Sequence, residues 1–414
     1  MANTLKFGNG QWATKVGSTL AYNDEGGNFK PLPFNFTRST SGTRVNKDGL
    51  IEVVTNNKPR IDYLNNSNGA LLLEPSRTNL ITYSEDFTQS VWSDLRVSLT
   101  SNNAISPDGT LNASELTLDA TNDSHTLIHS TMTGLSANAN HTISVFVKSN
   151  GNDKVALRDA SVGNYISVDL SNGVILDENN INSSIENFGN DWFRISITFL
   201  SSSSGQIRPS LYLLEDSYSS GSPSSAYLGD GVSSVYVWGF QAEANSSYAT
   251  SYIPTQGAIS TRVAETCSNA GNSQIFNDSE GVLFAEVSTF ADNTYKRISL
   301  NNGSYVNSVV FDFIDDNNLY GKIFVGGSQI ATILASGLNI ENNNKLAFKY
   351  KQNDFALWVN GVQVGVDTSG LTPSGLNTLG LDLAGNQDFY GNIKQIQYFD
   401  TALTDSELQA LTTI

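Results

Sequence analysis

The sequence predicts an all-β fold in which an extended N-terminal arm is followed by two tandem β-sandwich domains. Short strand-like runs recur along most of the chain, and Asn, Gly and Asp turn signals separate them. Charged residues make up only 15% of the 414 residues, whereas ordinary soluble domains have about 25%. Because domains usually contain about 100–200 residues, a chain of this length predicts two or three of them.

Two similar stretches mark the predicted domain boundaries. Leu71 to Leu73 suit a strand buried on both faces, and Pro75 then ends ladder pairing because it has no N–H. Ser251 to Arg262 repeat the same order of aliphatic residues, Pro, polar residues and Arg. We therefore predict an arm over residues 1–78, a jelly roll over 79–265 and a second sandwich over 266–414.

The predicted arm has too many turn signals for long elements. Its apolar runs, such as Phe34-Asn35-Phe36 and Leu50 to Val54, are too short to close a core unaided. They should instead pack on a neighbouring domain or a neighbouring copy. This pattern predicts a segment for docking or oligomerisation.

A resemblance to a known family begins within this segment and ends near Phe87. The residues that carry it are Phe36 to Glu52, Pro59 to Tyr63 and Leu71 to Leu80. They resemble the front end of a family of bacteriophage virion proteins, mostly tail-fibre or structural proteins. The resemblance implies a place on the virion, with other virion proteins bound through the arm, and it favours a homo-oligomer, with a trimer preferred. The alternative interpretation is that these are turn and strand signals of any β-rich surface protein.

Period-2 alternation is clearest in the middle domain. Ile143, Val145 and Val147 alternate with polar or aromatic residues, which predicts strands of a sandwich. Asp191 to Ser196, Val237 to Glu243 and Ser247 to Thr255 resemble the carbohydrate-binding-module-like jelly roll of phage fibres. That resemblance implies a sugar site on the concave sheet face or in the edge loops.

Aromatic side chains are the candidate sugar ligands, because an aromatic face offers apolar area at low entropy cost. Trp192 and Trp238 lie inside strong strand patterns and are predicted to be core residues. Five aromatic residues are predicted to be exposed and to stack on a host cell-surface glycan: Trp92, Tyr165, Tyr212, Tyr218 and Tyr227.

The three histidines, His125, His129 and His141, lie within one short region. His125 and His129 would share a strand face, a spacing compatible with zinc. No cysteine or close carboxylate group joins them, and the Thr- and Ser-rich surroundings suggest a solvated sheet face. We therefore predict no metal site.

The last third of the chain predicts the second sandwich. Asn360-Gly361 before Val362 is a strong hairpin signal. Gly391 to Phe399 predict a strand, and Thr404 with Glu407 predicts a capping box at the start of a short helix. Together with Trp358 and Val359, this ending resembles the concanavalin A-like, laminin-G-type fold.

The fold implied by that resemblance includes both lectins and glucanases. Retaining glucanases of this fold carry a Glu-x-Asp-x-x-Glu strand, which places two carboxylates at one bond. The sequence has no such pattern, since no acid lies between Glu280 and Glu286. We predict no enzyme, no catalytic residue and no cofactor. The turn at Asp315 and Asp316 is one place for a structural calcium ion, but it offers too few ligands and favours a solvated turn.

Charge and hydropathy argue against two classes of partner, nucleic acids and membranes. A net charge of −17 argues against nucleic acid, because binding to phosphates needs a basic surface. No apolar run approaches the roughly 20 residues of a membrane span, and the N-terminus lacks the apolar core of a signal peptide. We expect synthesis in the host bacterial cytoplasm, with no membrane insertion. A single cysteine, Cys267, rules out an intramolecular disulfide.

Taken with these patterns, the resemblances imply a phage tail-fibre or receptor-binding protein that recognises host surface glycans without cleaving them. The alternative is a capsid decoration or head-fibre protein whose sandwiches mainly cover the shell. A glycan depolymerase is a third interpretation, with its acid pair assembled from distant strands.

Overall fold

The computed structural model of the chain describes residues 5–22, 29–315 and 317–414. Strands account for 51% of the chain, and the described residues contain one short helix, α1 (Asp405–Thr412). The predicted all-β class is therefore confirmed. No helix among these residues is long and apolar enough to cross a membrane.

The strands fall into three groups along the chain. The first group is β1 (Leu5–Gly8), β2 (Ala13–Lys15), β3 (Ser18–Tyr22), β4 (Phe29–Thr37), β5 (Gly42–Val45), β6 (Ile51–Val54), β7 (Arg60–Asp62), β8 (Ala70–Leu73) and β9 (Arg77–Asn79). The second group is β10 (Trp92–Leu95), β11 (Val97–Ile105), β12 (Leu111–Leu118), β13 (Asn122–Asp123), β14 (His125–His129), β15 (Asn140–Asn150), β16 (Lys154–Asp159), β17 (Tyr165–Asp169), β18 (Val174–Asn179), β19 (Asn182–Asn187), β20 (Phe193–Leu200), β21 (Pro209–Leu213), β22 (Tyr227–Leu228), β23 (Ser234–Ala244) and β24 (Ser260–Arg262). The third group is β25 (Thr266–Ser268), β26 (Glu280–Thr289), β27 (Lys296–Asn301), β28 (Ser308–Phe313), β29 (Asn318–Val325), β30 (Ser328–Ser336), β31 (Asn344–Lys351), β32 (Phe355–Val359), β33 (Val362–Asp367), β34 (Thr378–Gly380) and β35 (Gly391–Phe399).

The chain forms two compact units. Unit 1 comprises Met1–Ser41, Val54–Ser76 and Val263–Ile414, and unit 2 comprises Gly42–Val53 and Arg77–Arg262. Much of the first predicted segment, 1–78, therefore lies in the same unit as the third, 266–414. The chain leaves unit 1 twice, after Ser41 and after Ser76, and it returns at Val54 and at Val263.

Unit 1 is a sandwich of two sheets. Twelve described strands form the larger sheet, in the order β25-β4-β3-β1-β35-β26-β31-β32-β33, with β2 beside β3 and with β8 pairing both β35 and β7. The smaller sheet runs β30-β29-β28-β27-β34. Leu283 and Ile396 from the larger sheet share one buried core with Phe311 and Ile323 from the smaller.

The N-terminal residues are part of this sandwich, and the structure does not show an extended arm. β1 pairs with β35 in antiparallel register, from Leu5 opposite Tyr398 to Gly8 opposite Gln395. Leu5 and Phe7 are 0% and 1% exposed. The apolar runs of this segment are too short to form their own core, and the C-terminal strands supply the missing partner surface.

Strand β8, like β1, pairs with β35. All four of its residues are buried, as predicted for Leu71 to Leu73. Leu73 lies opposite Gly391, and Leu71 lies opposite both Ile393 and Ile61. The strand of three leucines therefore joins the first quarter of the chain to the last strand by pairing with it.

Four fully buried charged side chains lie beside β8 in unit 1, and three of them come from residues 36–87. We call Arg38, Arg60, Glu74 and Glu265 the buried charge cluster. Arg38 Nη1 lies 2.6 Å from Glu265 Oε1, and Arg60 Nη2 lies 2.8 Å from Glu74 Oε2 and also pairs with Glu265. Burial lowers the pKa of the Arg60 guanidinium, but Glu265 and Glu74 outweigh burial and raise it overall. The two positive and two negative charges balance, as buried ions require.

Unit 2 is a second sandwich. Its described sheets run β10-β14-β21-β16-β17-β18 and β11-β12-β23-β15-β20-β19. Ile143, Val145 and Val147 point into the shared core, as their alternation predicts, and all are 0% exposed. Trp192 and Trp238 are 2% and 1% exposed, which confirms them as buried residues.

The outer face of β15 is buried as well. Tyr252 follows β23 and packs against Trp238 and Phe146, with ring centroids 4.6 and 6.0 Å away. Thr142 and Ser144, on the same outer face, are 1% and 0% exposed. The segment after β23 therefore covers a face that alternation alone leaves open to solvent.

Local signals at the C-terminus are confirmed. Asn360 and Gly361, with φ of 50° and 82°, link β32 to β33 in a two-residue turn, as their sequence predicts. Thr404 and Glu407 form the predicted capping box of α1. Leu408 of α1 packs on Phe284, on the side of the larger sheet away from the main core.

Candidate functional site: two open grooves

The three histidines lie inside unit 2, and the solvated sheet face predicted for them is wrong. His125, His129 and His141 are 0%, 4% and 0% exposed. Each bonds a main-chain carbonyl: His125 that of Arg96, His129 that of Ser130 and His141 that of Ser136. Burial lowers the pKa of His129 and His141. No group of three or more potential metal ligands occurs in the described residues.

Trp92 and Tyr227, two of the predicted sugar ligands, take part in internal packing. Trp92 is 5% exposed, so its predicted exposure is wrong, and its indole donates to the Tyr83 carbonyl at 3.0 Å. Its ring packs edge-on against Phe87. Tyr227 is half-buried, lies against the His125 ring and donates to a main-chain carbonyl.

The structure brings the other three predicted ligands together beside the sheet that contains β16 and β17. Tyr212 and Tyr218 are 6% and 9% exposed and pack in one small cluster, so their predicted exposure is also wrong. Tyr165 is half-buried and donates to Asp177, whose carboxylate also accepts the Gly221 amide. Burial and Asp177 raise the pKa of Tyr165 to about 12. A role for these tyrosines in sugar binding stays a prediction.

A polar groove lies in unit 2, and the sequence did not indicate it. It has a volume of about 720 Å³. We call it the acidic groove, and its lining includes Tyr83, Glu85, Asp86, Asn112, Thr255 and Gln256. Carboxylates, amides and hydroxyls thus face one open space, with one aromatic ring among them.

Two segments far apart in sequence build this groove. Tyr83 and Gln256 form an antiparallel bridge. Next to it, the Ser84 hydroxyl accepts the Thr255 amide at 2.9 Å. These bonds fix the main chain around Glu85, so the position of its carboxylate depends on the fold and not on a mobile loop.

Glu85 is the central polar group of the acidic groove. Its Oε1 accepts the Tyr252 hydroxyl at 2.8 Å, and its Oε2 accepts the Asn112 amide at 3.3 Å. Burial raises the pKa of the Glu85 carboxyl, with Asp108 adding to the rise and the Tyr252 hydroxyl opposing it. No lysine, arginine or histidine forms a salt bridge with Glu85 among the described residues.

Asp86, the second carboxylate of the groove, is fixed in a turn. Its Oδ1 accepts the Thr88 amide and hydroxyl at 3.1 and 2.6 Å, and its Oδ2 accepts the Gln89 side chain at 2.7 Å. The Thr88 hydroxyl is the main cause of the lowered pKa of Asp86. Asp86 therefore stays charged at lower pH than Glu85.

A second groove lies in unit 1. It has a volume of about 470 Å³ and is lined by Arg297, Tyr305, Phe324, Leu383, Asn386 and Gln387. We call it the arginine groove. Neither groove contains any of the five predicted aromatic residues. Tyr83, Glu85 and Asp86 of the acidic groove lie within residues 36–87, the stretch on which the sequence-based family resemblance was drawn.

The turn considered for calcium is an ordinary hydrogen-bonded turn where it is described. Asp315 accepts the Asn317 amide and the Asn318 side chain, which lower the pKa of its carboxyl. Asp316 lies outside the described residues.

No protein-family model and no curated protein sequence matches the chain. Among solved structures, it is similar to the CBM40 module of a Ruminococcus gnavus IT-sialidase bound to alpha2,3 sialyllactose, at 18% identity and a TM-score of 0.31, over 34% of this chain and 86% of that one. It is also similar to domain 4 of the arabinanase AbnA from Geobacillus stearothermophilus, at 15% identity and a TM-score of 0.25, over 41% and 84% of the two chains. Mouse laminin alpha1 domains LG4-5 match at 9% identity and a TM-score of 0.23, over 66% and 90%. The structures that the chain resembles therefore include carbohydrate-binding modules and laminin G-type domains.

Proposed function

We propose that the chain is a glycan-binding protein that uses the acidic groove of unit 2 and does not cleave its ligand. The observation that carries this proposal is the Glu85 carboxylate, which faces an open polar groove and has no cationic partner in the described structure. A carboxylate accepts strong hydrogen bonds from sugar hydroxyls. Asn112 and Gln256 add amides, and the Tyr83 ring adds apolar area for a sugar face.

Binding fits the groove better than hydrolysis. Glycoside hydrolysis uses two carboxyl groups, one to protonate the leaving oxygen and one to attack or to activate water. Asp86 accepts three hydrogen bonds from Thr88 and Gln89 in its own turn, so its main role is in the local fold. Reducing ends released from a bound polysaccharide by the purified chain would support the depolymerase alternative instead.

The test is titration of the purified full chain with a panel of neutral oligosaccharides, measured by calorimetry. We expect Glu85→Gln to weaken the binding about tenfold, because a hydrogen bond to a charged group contributes about 1.5–3 kcal/mol. Glu186→Gln removes the same charge from an exposed strand position of unit 2 and serves as the control. Equal affinity for the two variants would remove the acidic groove as the binding site.

The finer proposal is that the chain is a phage tail-fibre or receptor-binding protein located on the virion. The resemblance between Phe36 and Phe87 supports it. Weak sites of this kind suffice on a homo-oligomer, with a trimer expected, because repeated copies raise avidity through effective concentration. In the alternative, the chain decorates the capsid or forms a head fibre. Antibodies against the full chain, imaged on intact virions of the phage that encodes it, would label the tail in the first case and the head in the second.

Tests of attachment to other virion proteins need the whole chain. Deleting residues 1–78 would remove β1 and β8, which pair with β35 inside unit 1. Loss of function in such a truncation would report a damaged fold. Sedimentation of the full chain measures the oligomeric state without this complication, and a monomer at micromolar concentration would count against the trimer.

A further inference from the structure

The arginine groove of unit 1 combines one fixed guanidinium with aromatic and amide groups. Arg297 lies on β27 and is held by Asp312 of the neighbouring strand β28, its partner in register. Arg297 Nε lies 2.8 Å from Asp312 Oδ1, and Nη2 lies 3.4 Å from Oδ2. Asp312 is 1% exposed, whereas the Arg297 side chain is 20% exposed. A buried carboxylate thus fixes one edge of the guanidinium in a groove open to solvent.

Asp312 is shared between two cations. Lys322 Nζ lies 2.6 Å from Asp312 Oδ2, and the Lys322 side chain is 17% exposed. Two positive charges therefore surround one negative charge on this part of the smaller sheet. A guanidinium has five N–H donors, and Asp312 occupies only the Nε and Nη2 edge. The N–H groups of Nη1 have no hydrogen-bond partner among the described residues.

The rest of the groove suits a sugar ring. Tyr305 is 55% exposed, and Phe324 is half-buried on the same strand as Lys322. The side chains of Asn386 and Gln387 are exposed at the rim. Reciprocal main-chain bonds of 2.8 and 3.2 Å between Leu383 and Asn386 hold their loop. Aromatic faces and amides in one groove can contact both the apolar face and the hydroxyls of a saccharide.

We propose that the arginine groove binds the carboxylate of an acidic sugar, such as a uronic or sialic acid, and this rests on the proposed function of glycan binding. The open edge of Arg297 can form two parallel N–H···O bonds to a carboxylate, the geometry that a guanidinium favours. The surplus positive charge stands out because the whole chain carries a net charge of −17. Tyr305 and Phe324 then contact the ring that bears the carboxylate.

The experiment measures binding of the full chain to three acidic saccharides, each beside its methyl ester, by calorimetry or ligand-observed NMR. The probes are tetragalacturonate, a hyaluronan tetrasaccharide and 3′-sialyllactose. We expect at least one acid to bind about tenfold more tightly than its ester, because esterification removes the charge that Arg297 recognises. The proposal is overturned if no acid binds or if every ester binds as well as its acid. Tighter binding of a sulfated neutral sugar than of any acid would overturn the carboxylate assignment.

Variants locate the site. Arg297→Gln should weaken binding of the acidic saccharide about tenfold. Lys322 remains as the partner of Asp312 and preserves the local fold. Lys351→Gln removes the same charge from an exposed ion pair with Glu280 in unit 1 and should leave affinity unchanged. Tyr305→Ala, at an exposed position, should also weaken binding without affecting the melting temperature. Unchanged affinity in both groove variants would exclude the arginine groove.

Glu85→Gln separates this inference from the proposed function. Acid binding that survives Glu85→Gln and is lost in Arg297→Gln supports the arginine groove, even if the acidic groove binds nothing. Neutral-sugar binding that is lost only in Glu85→Gln, with no preference for acids, keeps the proposed function and overturns this inference.

Discussion

Glu265 in unit 1 is buried and Glu85 in unit 2 is half-buried, and the partners of the two carboxylates differ in kind. Glu265 is 0% exposed and lies among two arginines. Glu85 is half-buried, and its partners are the neutral side chains of Tyr252 and Asn112. Burying a charge is costly unless an opposite charge compensates it.

The difference shows which buried carboxylate can serve a ligand. The charges around Glu265 balance, and its hydrogen bonds join Arg38, Arg60 and the Glu74 amide. Glu85 keeps an uncompensated charge, and burial raises the pKa of its carboxyl. Glu265 therefore stabilises the fold, whereas Glu85 has hydrogen-bonding capacity left for a molecule in the groove.

Removal of the Glu265 charge should cause the largest loss of stability. Glu265→Gln leaves Arg38 and Arg60 buried with one carboxylate between them, and breaking a buried ion pair costs about 3–5 kcal/mol. We expect the free energy of unfolding of unit 1 to fall by that amount, measured by hydrogen exchange of the β8 amides in urea.

The control for this prediction is a surface pair. Lys351 and Glu280 form a salt bridge in unit 1 in which the Lys351 side chain is 51% exposed. Glu280→Gln should cost less than about 1 kcal/mol, as exposed pairs do. If the two variants lost similar stability, the balance of charges inside the buried charge cluster would contribute no more to unit 1 than a surface ion pair does.

Removal of the Tyr252 hydroxyl should cause the next largest loss of stability. The hydroxyl lies 2.7 Å from Ser84 Oγ and donates to Glu85 at 2.8 Å. Tyr252→Phe should lower the free energy of unfolding of unit 2 by about 1–3 kcal/mol, because buried polar groups lose a partner. It should also raise the pKa of Glu85 further, since this hydroxyl opposes the rise. Carboxyl ¹³C NMR titration measures that pKa directly.

Tyr236→Phe is the matched control in unit 2. Tyr236 lies on β23, near Trp238, and its hydroxyl makes no hydrogen bond within the described part of the chain. This variant should change neither stability nor the Glu85 titration. A Glu85 pKa that stays constant in Tyr252→Phe would mean that the hydroxyl does not stabilise the carboxylate.

Local signals explain the parts of the fold that the sequence predicted. The turn at Asn360-Gly361, strand β35 and the capping box of Thr404 and Glu407 depend on residues close in sequence, and each is confirmed. The pairing of β1 with β35 joins Leu5 to Tyr398 and could not be inferred from local pattern. The structure does not show an extended arm for that reason, because apolar residues of this segment have partners at the opposite end of the chain.

The sites were harder to predict than the strands. Exposure was assigned to Trp92, Tyr212 and Tyr218 from residue type, but loops and neighbouring rings cover all three. Glu85 meets Tyr252 across 167 positions, so no spacing in the sequence identifies the pair. Arg297 and Asp312 lie on neighbouring strands, but only the register shows that they face each other.

Removing the charge of Asp382, a buried carboxylate of unit 1, should give the smallest effect. It extends the comparison to a carboxyl group that forms no salt bridge among the described residues. Asp382 is 5% exposed, and burial with Asp388 nearby raises the pKa of its carboxyl from 3.8 to about 6. A raised folded-state pKa means that the protonated form favours the fold. The stability that this proton contributes is complete below pH 3.8 and is lost as the pH rises through about 6.

Asp382→Asn removes this titration while it keeps the shape of the side chain. The variant should gain stability over the natural chain, on the order of 1 kcal/mol at pH 7.5 after screening by solvent, and the gain should vanish at low pH. Thermal melts of both proteins across that range measure the difference. Asp315→Asn is the opposite case, because hydrogen bonds lower the pKa of Asp315, so its loss should bring no gain at neutral pH. If Asp382→Asn were less stable than the natural chain at pH 7.5, the charged form of Asp382 would be the stabilising one, and burial would not be what raises its pKa.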